Sequence, residues 1–270
     1  MSSRIPSFLL LTAVLVSASL APLTASAQLS VRSNLVEEHQ AGAGTRYSGV
    51  VVIANASGRA ELARLSQTDY RFDADGTTHF DASASSSRSN ARWISLQTSH
   101  VLVPAHGKVS VPYTVEVPAV DSLRGTYWST VLVESASDGA NGAGGAAGVQ
   151  VGAVTRYAVQ VATHVGVASA RTVRFGTPVV TASAEGHRGL MVDVLHTGER
   201  GARPVLWVEL YDATGALRAR ARQTRGLLYP GTSLRQQFDL GRLAAGTYKA
   251  VIFADSGDDA VVAMQFRFVI

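Results

Sequence analysis

The sequence contains no cysteine. That excludes a disulfide framework, a thiolate metal site, a catalytic thiol and a lipid-modified N-terminal cysteine together. Proline is sparse, 8 residues against 25 glycines, which excludes collagen-like and proline-rich fibres. No apolar run reaches the roughly 20 residues of a membrane-spanning helix. Nor does any window of 11 residues carry a helical apolar stripe. Charge is low at 16%, and the 24 basic residues exceed the 20 acidic ones by a margin too small and scattered for nucleic-acid binding.

What is present is 46% hydrophobic residues in 270, enough for one large or two ordinary domains. The first 27 residues have the form of an export signal: Arg4, an apolar core over 8–16, then Ala25-Ser26-Ala27 as a small-residue cleavage site. Cleavage after Ala27 leaves 243 residues with a formal charge of +3, since Arg4 is lost from +4. The protein is therefore expected in a periplasm or at the cell surface, its stability drawn from packed apolar area.

Beyond residue 28 the dominant pattern is alternation of apolar and polar residues, the signature of half-buried strands. Val109, Val111, Tyr113, Val115 and Val117 fall on one side, with Pro112 among the residues of the other. A proline cannot donate to a ladder, so this strand lies at an edge or turns its proline away from a neighbour. Val262, Met264, Phe266, Phe268 and Ile270 alternate likewise. Further strands are expected over 48–54, 61–72, 127–134, 154–167, 190–196, 205–211 and 249–254, separated by turn residues such as Asp75-Gly76, Asp212 to Gly215 and Pro230-Gly231.

Gly125-Thr126-Tyr127 recurs as Gly246-Thr247-Tyr248, each leading into a late strand. A tyrosine there is reminiscent of a tyrosine corner, whose hydroxyl ties back to an upstream backbone group. The expected organisation is a signal peptide over 1–27, an N-terminal sandwich over 28–167 with a mobile glycine-rich loop at 136–148, a linker at 168–174, and a C-terminal sandwich over 175–270. The fold class is all-β: two tandem immunoglobulin-like antiparallel β-sandwiches.

Chemistry is thinly represented. The seven histidines show no metal-ligand spacing, and neither a nucleophile elbow nor a Ser-x-x-Lys motif occurs. Asp73, Asp75 and Asp81 lack the further ligands of a calcium loop and read as a hairpin turn. No catalytic residue, metal or cofactor is expected. Arg218, Arg220, Arg222 and Arg225 are a candidate surface for an anionic envelope polymer, or a solvated face that protects a sheet edge.

The strand over 109–117, then Arg124 to Trp128, Val131 to Glu134, the glycine-rich loop and Arg156-Tyr157-Ala158-Val159-Gln160-Val161 resemble the immunoglobulin-like domain of periplasmic pilus-assembly chaperones and related bacterial surface proteins. Residues 206–215, Tyr229-Pro230 and Gly246 to Tyr248 are similar to a second sandwich of that class. The resemblance implies a non-enzymatic protein that binds secreted or envelope protein subunits by strand addition. It places the binding edge on the last strand of the first domain, at Arg156, Ala158, Val159, Gln160 and Val161. It also implies a basic pair that holds a subunit's terminal carboxylate. Arg156 lies near one expected position, and Val159 and Gln160 stand where the lysine is expected.

Overall fold

The computed structural model describes residues 29–136, 155–166, 170–258 and 261–270. The expected signal peptide, nearly all of the glycine-rich loop and residues 168 and 169 of the expected linker lie outside them.

The first ten strands are β1 (Leu29–Val31), β2 (Val36–Ala41), β3 (Arg46–Asn55), β4 (Glu61–Phe72), β5 (Thr78–Asp81), β6 (Ile94–Leu96), β7 (His100–Val103), β8 (Lys108–Glu116), β9 (Gly125–Ser135) and β10 (Arg156–Val165), with a short 3₁₀ turn at Ala91–Trp93. One sheet has the order β1-β3-β8-β6; the other runs β2-β10-β9-β4, with β5 and β7 both on β4. The inward-facing valines of these alternating strands meet between the sheets: Val51, Ile53, Val111, Val115, Val131, Val159 and Val161 form the core with Tyr113.

Eight strands follow: β11 (Val173–Phe175), β12 (Val179–Ala182), β13 (Arg188–His196), β14 (Val205–Asp212), β15 (Leu217–Thr224), β16 (Ser233–Gly241), β17 (Thr247–Asp255) and β18 (Val261–Val269). Here β11, β12 and β16 pair with β13, and the facing sheet runs β15-β14-β17-β18. A second core forms from Leu190, Val192, Leu206, Val208, Phe238 and Ile252. Every strand pairing stays within β1–β10 or within β11–β18. The molecule is two tandem immunoglobulin-like sandwiches, as the alternation predicts.

Three details refine the sequence reading. β8 is not an edge strand, because β3 and β6 flank it. The carbonyl of Pro112 accepts from Gln97 N–H at 3.1 Å, on the β6 side. Its missing donor therefore points past the end of three-residue β6, and the ladder to β3 loses nothing. The chain also switches sheets between β1 and β2: β1 is antiparallel to β3, whereas β2 runs parallel to β10 in the opposite sheet. Finally, Tyr248 Oη donates to Ala244 C=O at 2.9 Å, the expected corner, while Tyr127 instead packs its ring on Trp93 beneath the Arg88 guanidinium.

A third apolar cluster joins the sandwiches. Trp128 and Ala162 from β9 and β10 pack on Leu227 and Tyr229 of the β15–β16 connection. The rings of Trp128 and Tyr229 are stacked at 4.7 Å with 7° between planes. Tyr229 Oη donates to Gln160 Oε1 at 2.7 Å. The two units are thus held by buried aromatic contact as well as by the connecting chain.

Candidate partner-binding edge and the cleft between the sandwiches

β10 is paired on both sides only in part. β9 accompanies it along its whole length, but β2 begins opposite Gln160 and ends opposite Val165. Gln160 N–H donates to Leu35 C=O at 2.8 Å, which fixes the backbone groups of even-numbered residues on the β2 side. By alternation, those of Arg156 and Ala158 point the same way. Among the described residues no strand stands opposite them. The open edge is therefore residues 156–159.

The five residues expected to line a binding edge have three different fates. Val159 and Val161 are fully buried in the first core, so their side chains are not specificity pockets. Gln160 and Val161 lie in the half of β10 that β2 covers, and Gln160 also meets Tyr229. Arg156 and Ala158 remain on the open half. Arg156 Nε donates to Glu134 Oε2 at 2.9 Å, and Arg64 Nε donates to Glu134 Oε1 at 2.7 Å. Glu134 is buried, and its two arginines, Arg64 foremost, hold its carboxyl below the usual range.

Where β2, β10 and the second sandwich converge, a cleft of about 540 Å³ opens, lined by Glu38, Gln40, His164, Arg171, Arg200 and Arg203. Arg200 donates to Gly166 C=O at 2.8 Å and to the Gln40 side-chain oxygen, both neutral acceptors. Burial, with the Arg171 guanidinium nearby, lowers its pKa. Among the described residues, then, Arg200 has no ion pair with a carboxylate, although the Asp258 carboxylate acts on it from a distance. Arg203 differs: its Nε donates to Glu38 Oε1 at 3.0 Å across the interface.

Glu38 also meets His164 Nε2 at 3.3 Å, and His164 Nδ1 lies 2.8 Å from Thr126 Oγ1. Hydroxyl, imidazole and carboxylate stand in the order of a nucleophilic triad. Their surroundings suit a structural clasp instead. Thr126 is fully buried, and its oxygen accepts Gly201 N–H at 2.7 Å. The clasp ties β2, β9 and β10 to the second sandwich. His164 first, and then Arg203, lower the Glu38 pKa from 4.5 to about 2, against the opposing effect of burial.

The sign follows from linkage: a carboxyl depressed by folding stabilises above its unfolded pKa, and that stabilisation fades as pH falls toward the folded value. Urea midpoints should decline between about pH 4.5 and 2, and Glu38→Gln should flatten that part of the profile. A variant as acid-sensitive as the parent would remove Glu38 from the account.

Of the arginines proposed for polymer binding, Arg218, Arg220 and Arg222 share the exposed face of β15, and Arg225 does not. Arg218 Nε donates to Asp212 at 2.6 Å and Arg220 to Glu209 at 2.5 Å, so both are ion-paired though still exposed. Arg222 stands opposite Trp207 on the same sheet face, without an ion pair among the described residues. Arg225 lies beyond β15 and lines a separate groove with Tyr70, Phe72 and Arg235. The acidic turn near residue 75 is likewise self-contained: Asp73 meets Arg71 and His79, Asp81 meets Arg71, and Asp75 accepts Thr77 N–H.

Sequence reasoning missed Glu38, Arg200, Arg203 and Tyr229 as members of one junction. The only available signal was an Arg-x-x-Arg pair in a glycine-containing turn, and nothing in it points to a glutamate some 160 positions earlier.

No protein-family model and no curated protein matches the chain. Solved structures do. The class 5 fimbriae chaperone CfaA is similar at 9% identity, over 88% of this chain and 98% of its own, with a TM-score of 0.46. A chain of the CsuC–CsuE chaperone–tip adhesion subunit pre-assembly complex from the archaic chaperone-usher Csu pili of Acinetobacter baumannii matches at 10%, over 81% and 98%, with a TM-score of 0.40. The E. coli chaperone DraB matches at 7%, over 90% and 98%, with a TM-score of 0.38.

Proposed function

We propose that this protein is an exported, non-catalytic assembly factor that captures an extended segment of a secreted or envelope protein subunit at the open edge of β10. The observation that carries the reading is the half-covered strand. Residues 156–159 offer outward N–H and C=O groups at Arg156 and Ala158 on a strand otherwise held in a packed sheet. An extended peptide adding there gains main-chain hydrogen bonds without disturbing the core. The cleft cation Arg200 gives a second point of attachment for an anionic group of the client. In this reading the linker expected over 168–174 runs into the second unit, whose first strand β11 already begins at Val173. The polymer-binding alternative would rest on Arg218, Arg220 and Arg222 alone, of which the first two are already paired with carboxylates, since Arg225 lines a separate groove.

Ala158→Pro tests the proposal cleanly. The Ala158 N–H lies on the open side, so proline removes an edge donor while the ladder to β9 stays intact. Capture of subunits from envelope extract should fall roughly tenfold or more, with the melting temperature close to that of the parent. Recovery of the same partners at parental yield would overturn the edge assignment.

A further inference from the structure

The second sandwich has an open edge of its own, and its pattern matches itself. β18 pairs with β17 on one side, and among the described residues no strand pairs with the other. Ile270 N–H donates to Gly246 C=O at 3.0 Å and Gly246 N–H returns to Ile270 C=O at 3.3 Å. Even-numbered residues therefore bond to β17, and the backbone groups of Val261, Ala263, Gln265, Arg267 and Val269 point outward. The side chains of this row are exposed, Val269 at 74% and Val261 at 49%. The even row, Val262, Met264, Phe266 and Phe268, packs on the second core yet is only half-buried.

Apart from the open half of β10, the other edges among the described residues carry the devices that discourage sheet extension. β1, β6 and β11 have three residues each, and β5, β7 and β12 four. β2 carries Glu37, Glu38 and His39; β15 presents Arg218, Arg220 and Arg222; β16 exposes Arg235 and Asp239. β18 has nine residues, no proline and one charge, Arg267.

We propose that β18 is a self-association edge, through which two copies of this chain join antiparallel about a two-fold axis at Gln265. The register is dictated by the pattern. With Gln265 opposite its own copy, Val261 faces Val269 and Ala263 faces Arg267, so no like charges meet. On the other face Val262 comes opposite Phe268 and Met264 opposite Phe266, completing the cover of the half-buried row. Every outward N–H and C=O of the five odd residues finds a partner, and the interface is isologous. A strand-edge contact is small, so the dimer is a weak one, with dissociation in the micromolar range or above.

The test uses the purified protein in sedimentation velocity over about 1–200 μM, the range a contact of this size requires. A concentration-dependent monomer–dimer equilibrium is expected. Gln265→Lys sets two ammonium groups face to face and should weaken it roughly tenfold or more, with melting unchanged. The absence of native cysteine allows a positional check. In a hydrogen-bonded antiparallel pair the Cα atoms are about 5.5 Å apart, so Gln265→Cys should link to its copy rapidly with a short thiol crosslinker. Ala263→Cys, about 13 Å from its copy along the strands, should not. A protein monomeric throughout, a dimer indifferent to Gln265→Lys, or equal crosslinking at 263 and 265 would each overturn the proposal.

Discussion

Replacing Trp128 by alanine is expected to destabilise the protein by about 3–5 kcal/mol, the ordinary range for a buried aromatic removed from a packed site. The indole is 6% exposed, its face lies on Tyr229, and its Nε1–H donates to Tyr70 C=O at 2.5 Å. Phe72 meets Tyr229 edge-on at 6.4 Å, so the cavity would open in the centre of an aromatic cluster. The position is also diagnostic of coupling. Trp128 belongs to the first sandwich and Tyr229 to the second, and each sandwich has a separate core of its own. Loss of the indole should therefore damage the junction more than either core. In urea the parent is expected to unfold in one transition, and Trp128→Ala in two less steep ones. A cycle with Tyr229→Ala should show coupling of about 0.5–1.5 kcal/mol. A single parental transition displaced by less than about 1 kcal/mol would mean that the junction does not unite the sandwiches.

Strands whose inner face is uniformly apolar were legible from alternation alone. β8, β14 and β18 lie within a residue or so of their expected bounds. Glu61–Phe72 also falls at its expected bounds, although its buried row holds Glu61 and Asp69 beside Ala63 and Leu65. Other strands with polar residues on the inner face were not legible. In β16 the buried row reads Leu234, Gln236, Phe238 and Leu240, and the buried glutamine hides the period. In β2, Val-Glu-Glu-His-Gln-Ala has no apolar alternation, because this strand is held by its ladder to β10 and by ion pairs at the cleft. That omission decided the reading of the site. Without β2, the whole of β10 looks like a free edge; with it, only residues 156–159 are open. Val159 and Val161 show the same limit: alternation says that they share a face, but the facing sheet determines that this face is the core.

Gly125→Ala should be far more damaging than Gly215→Ala, although both glycines occupy the left-handed region, at φ +86° and +84°. That conformation costs a non-glycine residue about 1–2 kcal/mol at either site. At Gly215, in the tight turn between β14 and β15, nothing lies within 4 Å of the added methyl group, so the backbone term is the whole effect. At Gly125 the methyl would stand 2.3 Å from Glu199 C=O and 2.7 Å from Arg88 Nη1. Glu199 belongs to the second sandwich; its carbonyl accepts Thr126 N–H at 2.8 Å, and its carboxylate meets Arg124 at 3.3 Å. Relief of the clash must push the sandwiches apart there, breaking that bond and straining the Thr126–Gly201 contact beside it. A total loss of about 3 kcal/mol or more is expected for Gly125→Ala, against about 1–2 for Gly215→Ala. The two Gly-Thr-Tyr segments therefore share letters for different reasons. Gly246 is absent from the positive-φ set and meets only the Tyr248 ring, at 3.8 Å, whereas Gly125 lets the first sandwich approach the second. Equal denaturation midpoints for the two alanine variants would show that the approach at Glu199 is not tight enough to govern how the sandwiches dock.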